Sequence, residues 1–87
     1  WYDEADKQYF MQQVQLATPT IREVKQAFRD YGYQMNTTDV WDKESRDVIY
    51  AFQLHFRPLK PTGIMDIETY AILKALNKKY AGRDDFY

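Results

Sequence analysis

The chain has 87 residues, 45% of them hydrophobic and 17% aromatic, with three Gly, three Pro and no Cys. A chain this short buries only ~60–65% of the surface its unfolded form exposes, which allows one domain around one unbroken core. Few turn residues disfavour a small β-sandwich and favour helices. Twelve basic residues against 13 acidic ones leave a net charge of −1. That balance supplies no field for nucleic acid, whose binding rests on phosphate neutralisation. Without Cys there are no disulfides or thiolate metal sites, and no apolar run approaches the ~20 residues of a membrane span. The chain opens on Trp1 rather than Met, as expected of a piece of a longer protein whose targeting signal lies upstream.

Four helices are predicted. The first follows Asp3 as N-cap and aligns Phe10, Val14 and Ala17 on one stripe. The second opens either with Thr18 capping and Pro19 as first helical residue, or with Thr20 and Glu23 as a capping box. Its apolar stripe is Ile21, Val24, Phe28 and Tyr31, and Gly32 supplies a left-handed stop. The third starts at Asp42, buries Ser45, Val48, Ile49, Phe52 and Phe56, and ends before Pro58. The fourth starts at Asp66 and runs through Thr69, Ile72, Leu73, Leu76 and Tyr80. Gly82 and the charges after it read as a solvated tail.

A repeat with a 24-residue offset joins the last two helices. Asp39-Val40-Trp41-Asp42-Lys43-Glu44-Ser45 aligns with Gly63-Ile64-Met65-Asp66-Ile67-Glu68-Thr69, and the match continues through Val48/Ile72, Ile49/Leu73, Ala51/Ala75 and Phe52/Leu76. Each copy has an apolar pair, an Asp cap, a Glu in the first turn and a hydroxyl residue three after the cap. Asp accepts orphan N–H groups, and Glu favours the positive helix end. Similarity over so many positions at one period points to a structural duplication.

These residues resemble the type-1 peptidoglycan-binding domain, whose signature is two such loop–helix starts and a Phe-Gln pair closing the first helix, here Ala51-Phe52-Gln53. The resemblance covers roughly residues 18–80. It implies an all-α fold, a closed three-helix bundle, here preceded by an additional N-terminal helix. Trp1-Tyr2-Asp3-Glu4-Ala5, Asp30-Tyr31-Gly32-Tyr33 and Phe52-Gln53-Leu54-His55-Phe56-Arg57-Pro58 are similar to the C-terminal part of Gram-negative zinc-dependent N-acetylmuramoyl-L-alanine amidases. That narrower resemblance implies a connecting helix over 1–17, a peptidoglycan-binding-like domain over 18–80 and a flexible tail over 81–87. It also implies a catalytic domain partnered in cis, which would hold the zinc, and a periplasmic or cell-envelope location. The usual Asp-Gly start reads Asp39-Val40 in one copy and Thr62-Gly63 in the other, so the second copy lacks the acidic residue.

The inventory argues against catalysis by this chain. Its single Ser, Ser45, and single His, His55, fall on one predicted helix ten residues apart, ~15 Å along the axis and beyond proton-transfer reach. Around His55 no carboxylate pair has metal-ligand spacing. Peptidoglycan presents sugar faces, amides and stem-peptide carboxylates, so binding calls for aromatic surface, hydrogen-bond donors and a cation. The candidates are Tyr33 and Tyr70 as aromatic faces, and Gln53 and Arg57 as polar contacts. Alternatively, Arg57 caps its helix and Gln53 ties down a loop. Trp41 can stack on sugar or act as an apolar staple, and His55 is expected to be structural. Tyr50 and Leu54 form a second stripe that can meet ligand, the first helix or a catalytic domain. Lys74, Lys78 and Lys79 read as a solvated face. The expected function is a peptidoglycan tether for an amidase; the alternative is a scaffold that supports the catalytic domain without touching the wall.

Overall fold

The computed structural model describes residues 2–56 and 61–84, with side chains up to Tyr80. Among these residues there are four helices and no strand: α1 Glu4–Leu16, α2 Ile21–Tyr31, α3 Lys43–Phe56 and α4 Ile67–Asp84. Each helix begins where a side-chain oxygen meets orphan N–H groups. Asp3 Oδ1 accepts from the Ala5 and Asp6 amides at 2.8 and 3.2 Å. Of the two openings considered for α2, the structure takes the capping box. Glu23 N donates to Thr20 Oγ1 at 3.1 Å, and Thr20 N donates to Glu23 Oε1 at 3.0 Å. Asp42 Oδ1 and Asp66 Oδ1 accept from Ser45 N at 2.9 Å and Thr69 N at 2.7 Å, so the two copies of the repeat launch helices in the same way.

Gly32 closes α2 at φ 119°, its N–H reaching the Phe28 and Arg29 carbonyls. A side chain is strained in that conformation, which is why the stop is glycine. Two boundaries differ from expectation. Ala17 is the exposed C-cap of α1 and lies off the Phe10–Val14 stripe. α4 continues past Gly82, where the sequence suggests a tail; an interior glycine weakens a helix by only ~1 kcal/mol relative to Ala and does not by itself stop one.

The core collects side chains from α2, α3 and α4: Val24, Ala27 and Phe28, then Ile49 and Phe52, then Ile72, Leu73 and Leu76, with Met35 from the loop after α2. Phe28 and Phe52 meet edge to face at 5.4 Å, and Tyr33 and Phe56 extend the aromatic cluster around Phe52. α1 lies along α4, through Val14 and through charge. Lys7 Nζ reaches Glu68 Oε2 at 2.9 Å, and Lys78 Nζ reaches Asp6 Oδ1 at 2.7 Å. Lys74 sits over the Phe10 ring. Lys74 and Lys78 thus meet α1, while Lys79 stays exposed over the Tyr80 ring. Lys7 is nearly buried; burial opposes its charge, but the Glu68 hydrogen bond and carboxylate outweigh that and raise its pKa. Tyr50 and Leu54, considered as a surface for α1, stay about half exposed because α1 packs on α4.

Phe52→Ala removes a ring that touches three other aromatics. It should lower stability by ~3–5 kcal/mol, a large share of the ~5–15 kcal/mol of a small domain. Urea unfolding checks this, and a loss below ~1 kcal/mol would mean the cluster is not packed as described.

Candidate functional site

Both loops ahead of the repeated helices lack regular structure, so their backbone polar groups need other partners. In each case a buried side chain from the preceding helix provides them. Lys25 on α2 is fully buried, and its ammonium donates to Asn36 Oδ1 at 2.8 Å, Thr38 Oγ1 at 2.9 Å and the Val40 carbonyl at 2.5 Å. Gln53 on α3 is fully buried as well. Its Nε2 donates to the Ile64 carbonyl at 3.0 Å and to Thr69 Oγ1 at 3.1 Å. Its Oε1 accepts from the Thr62 and Gly63 amides, both at 2.8 Å.

Val40 and Ile64 are equivalent in the 24-residue repeat, so the two clamps grip the same carbonyl of each copy. The copies differ one residue earlier. Gly63 adopts φ 75°, and a Cβ there would lie 3.4 Å from the Arg46 carbonyl oxygen. Asp39 at the matching position needs no positive φ, since no non-glycine residue has one among the described residues.

Asn36 extends the first clamp. Its Nδ2 donates to Asp42 Oδ2 at 2.8 Å while its Oδ1 receives Lys25, so one amide links the buried cation to the cap of α3. The Ser45 amide, the Ser45 hydroxyl and the Asn36 amide hold the Asp42 carboxyl down from 3.8 to about 2, with the Lys25 charge adding to them.

Two depressions flank these loops. The first, of about 250 Å³, is walled by Ile21, Trp41, Met65, Ile67 and Tyr70, with Thr18 and Asp66 as polar members. Trp41 lies with the Lys25 ammonium over its ring, 5.9 Å from the centroid, and its carbonyl accepts from Arg46 Nη1 at 2.8 Å. Burial, then the neighbouring Glu23 charge, raises the Tyr70 pKa. The second depression, of about 390 Å³, is polar and includes Arg29, Tyr33, Asn36 and Glu44.

The structure therefore separates the four candidate contacts. Tyr70 lines the apolar groove. Tyr33 borders the polar depression, but its ring packs edge-on against Phe28 and Phe52, and burial, then Tyr31, raises its pKa. Of the two roles offered for Gln53, the structure takes the loop tie and not the ligand contact: both N–H groups and both oxygen lone pairs are committed to the 62–64 loop and Thr69. Arg57 lies outside the described residues. Lys25 escaped the sequence reading, although positions 21, 24, 25 and 28 share one helix face, which marks a lysine on an apolar stripe.

Fold and loops define a class: a small all-helical domain built on a duplicated loop–helix unit. Residues 18–73 match the family described as "Putative peptidoglycan binding domain", and the chain belongs to that family. It is 50% identical over 54 residues to the N-acetylmuramoyl-L-alanine amidase AmiD of Escherichia coli (strain K12), a stretch that is 62% of this chain and 19% of that protein. The crystal structure of AmpDH3 from Pseudomonas aeruginosa aligns with a TM-score of 0.84 at 40% identity, over 93% of this chain and 32% of that one. The chain thus spans about a fifth and about a third of the lengths of these two relatives.

Two outcomes test the clamps. Gln53→Leu leaves the buried Gly63 amide and the part-buried Thr62 amide without their acceptor, while the Ile64 carbonyl keeps the Thr62 hydroxyl, and should cost ~2–4 kcal/mol. Hydrogen exchange at the Thr62 and Gly63 amides should accelerate ahead of the core; unchanged protection there would refute the clamp. Because its folded pKa is depressed, Asp42 adds stability that is complete above its ordinary 3.8 and is lost as pH falls through about 2. Asp42→Asn should therefore flatten the acid limb of stability between those values, and equal slopes in both proteins would count against it.

Proposed function

We propose that this chain is the wall-binding module of an N-acetylmuramoyl-L-alanine amidase, acting in the periplasm or cell envelope. Residues 18–80 act as a closed three-helix unit of α2, α3 and α4, with α1 as the added helix leading from the catalytic domain. The observation that carries the reading is the match of residues 18–73 to the peptidoglycan-binding family, joined by 50% identity to an amidase. The geometry supports it with an apolar, aromatic-walled groove between the duplicated units, where Trp41 and Tyr70 offer ring surface.

The module takes no part in the chemistry. Ser45, a buried partner of the Asp42 cap, is committed to its helix start. The zinc of such an enzyme belongs to its catalytic domain, which would cleave the amide between N-acetylmuramic acid and L-Ala of the stem. Binding the polymer keeps that domain at high effective concentration on an insoluble substrate. Tyr70 is the favoured contact, with Arg57 and Tyr33 as further contacts for stem-peptide groups.

The purified chain should pellet with peptidoglycan sacculi, and no enrichment over a control protein sinks the proposal. In an enzyme carrying this module, its removal should reduce activity on sacculi while sparing soluble muropeptides; equal loss on both would favour a scaffolding role.

A further inference from the structure

We infer that the groove between α2, the Trp41 loop end and the start of α4 takes an uncharged N-acetylated amino-sugar ring of the glycan strand, not the carboxylate-bearing stem peptide. The inference rests on the wall-binding proposal and assigns the part of the polymer that this groove holds.

Charge decides against the peptide. Among the described residues lining the groove none is Lys, Arg or His, and the charged member is Asp66. A second carboxylate, Glu23, lies close enough to Tyr70 to raise its pKa. A stem carboxylate placed here would lose hydration and face like charge, with no Lys, Arg or His among the described lining residues to compensate it; Lys74, whose charge reaches Glu23, is not one of them. Lys25 does not fill that role: although it lies over Trp41, it is fully buried and its ammonium is spent on three oxygens of the 36–40 loop.

Shape and chemistry favour a sugar. At about 250 Å³ the groove falls below the ~300–1,000 Å³ of pockets that enclose drug-sized ligands, so it suits one ring rather than a folded peptide. A pyranose offers C–H faces to the Trp41 and Tyr70 rings, and the methyl of its acetamido group suits Ile21 and Met65. Hydroxyl and amide groups on the same ring would lie toward Thr18 and Asp66, the polar members of the lining. The Arg46 bond to the Trp41 carbonyl and the Lys25 clamp hold the loop in place before ligand arrives, which lowers the ordering penalty on binding.

The test uses the isotopically labelled chain in solution NMR with two probes, an N-acetylglucosamine tetramer and a sugar-free stem tetrapeptide, alongside sacculus pelleting. The sugar should shift the Trp41 indole, the Met65 methyl and the Tyr70 ring saturably, and the peptide should not. Trp41→Phe and Ile67→Glu should each weaken sugar binding by about tenfold. Ile67→Glu places an acid in the first turn of α4, where the helix dipole favours it, so loss of binding there is separable from unfolding. Sacculus binding with groove shifts from the peptide alone, or from neither probe, overturns the inference and leaves the wall-binding proposal standing. Failure to pellet with sacculi overturns both.

Discussion

The structure depends on two buried polar side chains that hold irregular backbone against helices. Gln53 spends all four of its hydrogen-bonding positions on the 62–64 loop and Thr69, and Lys25 spends its ammonium on the 36–40 loop. Without them, the Val40 carbonyl and the Thr62 and Gly63 amides would lose their partners, and an orphan group costs ~1–3 kcal/mol where it is buried. With them, α3 and α4 can start at fixed points, because the residue each clamp grips lies two positions before an Asp cap. Loop geometry and helix register are therefore one problem with one solution, used twice.

The duplication is one of geometry rather than of chemistry. One copy is gripped by a cation and the other by an amide; one uses Asp39 in ordinary backbone geometry and the other needs Gly63 at positive φ. The hydroxyls three residues after the caps also diverge. Ser45 stays local to Asp42, whereas Thr69 accepts from Gln53 across the interface between α3 and α4. Through Asn36, the first copy couples its clamp directly to its cap, adding to the two Ser45 hydrogen bonds that chiefly hold the Asp42 carboxyl down. The two ends of the duplicated unit also enclose the apolar groove, since Trp41 and Met65 hold the same place in each copy and face one cavity. An internal repeat thus creates a recessed surface that neither copy contains.

α1 is held differently. It rests on α4 through Val14, the Phe10 ring under Lys74, and the Lys7–Glu68 and Lys78–Asp6 pairs. The Lys78 pair is largely exposed and contributes little by itself. The Lys7 pair is shielded by burial of the ammonium and fixes the angle at which α1 crosses. In the proposed enzyme that angle would carry over to whatever precedes the module.

Local rules carried much of the sequence reading. Caps at Asp3, Asp42 and Asp66, the glycine stop at Gly32, the apolar stripes of α2 and α3 and the 24-residue repeat are all written in neighbours within a turn or two, where dipole, capping and periodicity act. Family membership was legible for the same reason, since its signature is made of those short elements. Long-range partnership was not. Which of its two offered roles Gln53 takes, that Lys25 is interior, that Lys74 and Lys78 meet α1, and that Trp41 and Tyr70 wall one groove while Tyr33 packs elsewhere all depend on which faces meet after folding. A side chain's donors and charge are set by its type, but whether they are spent inside the protein or left for a ligand is set only by packing.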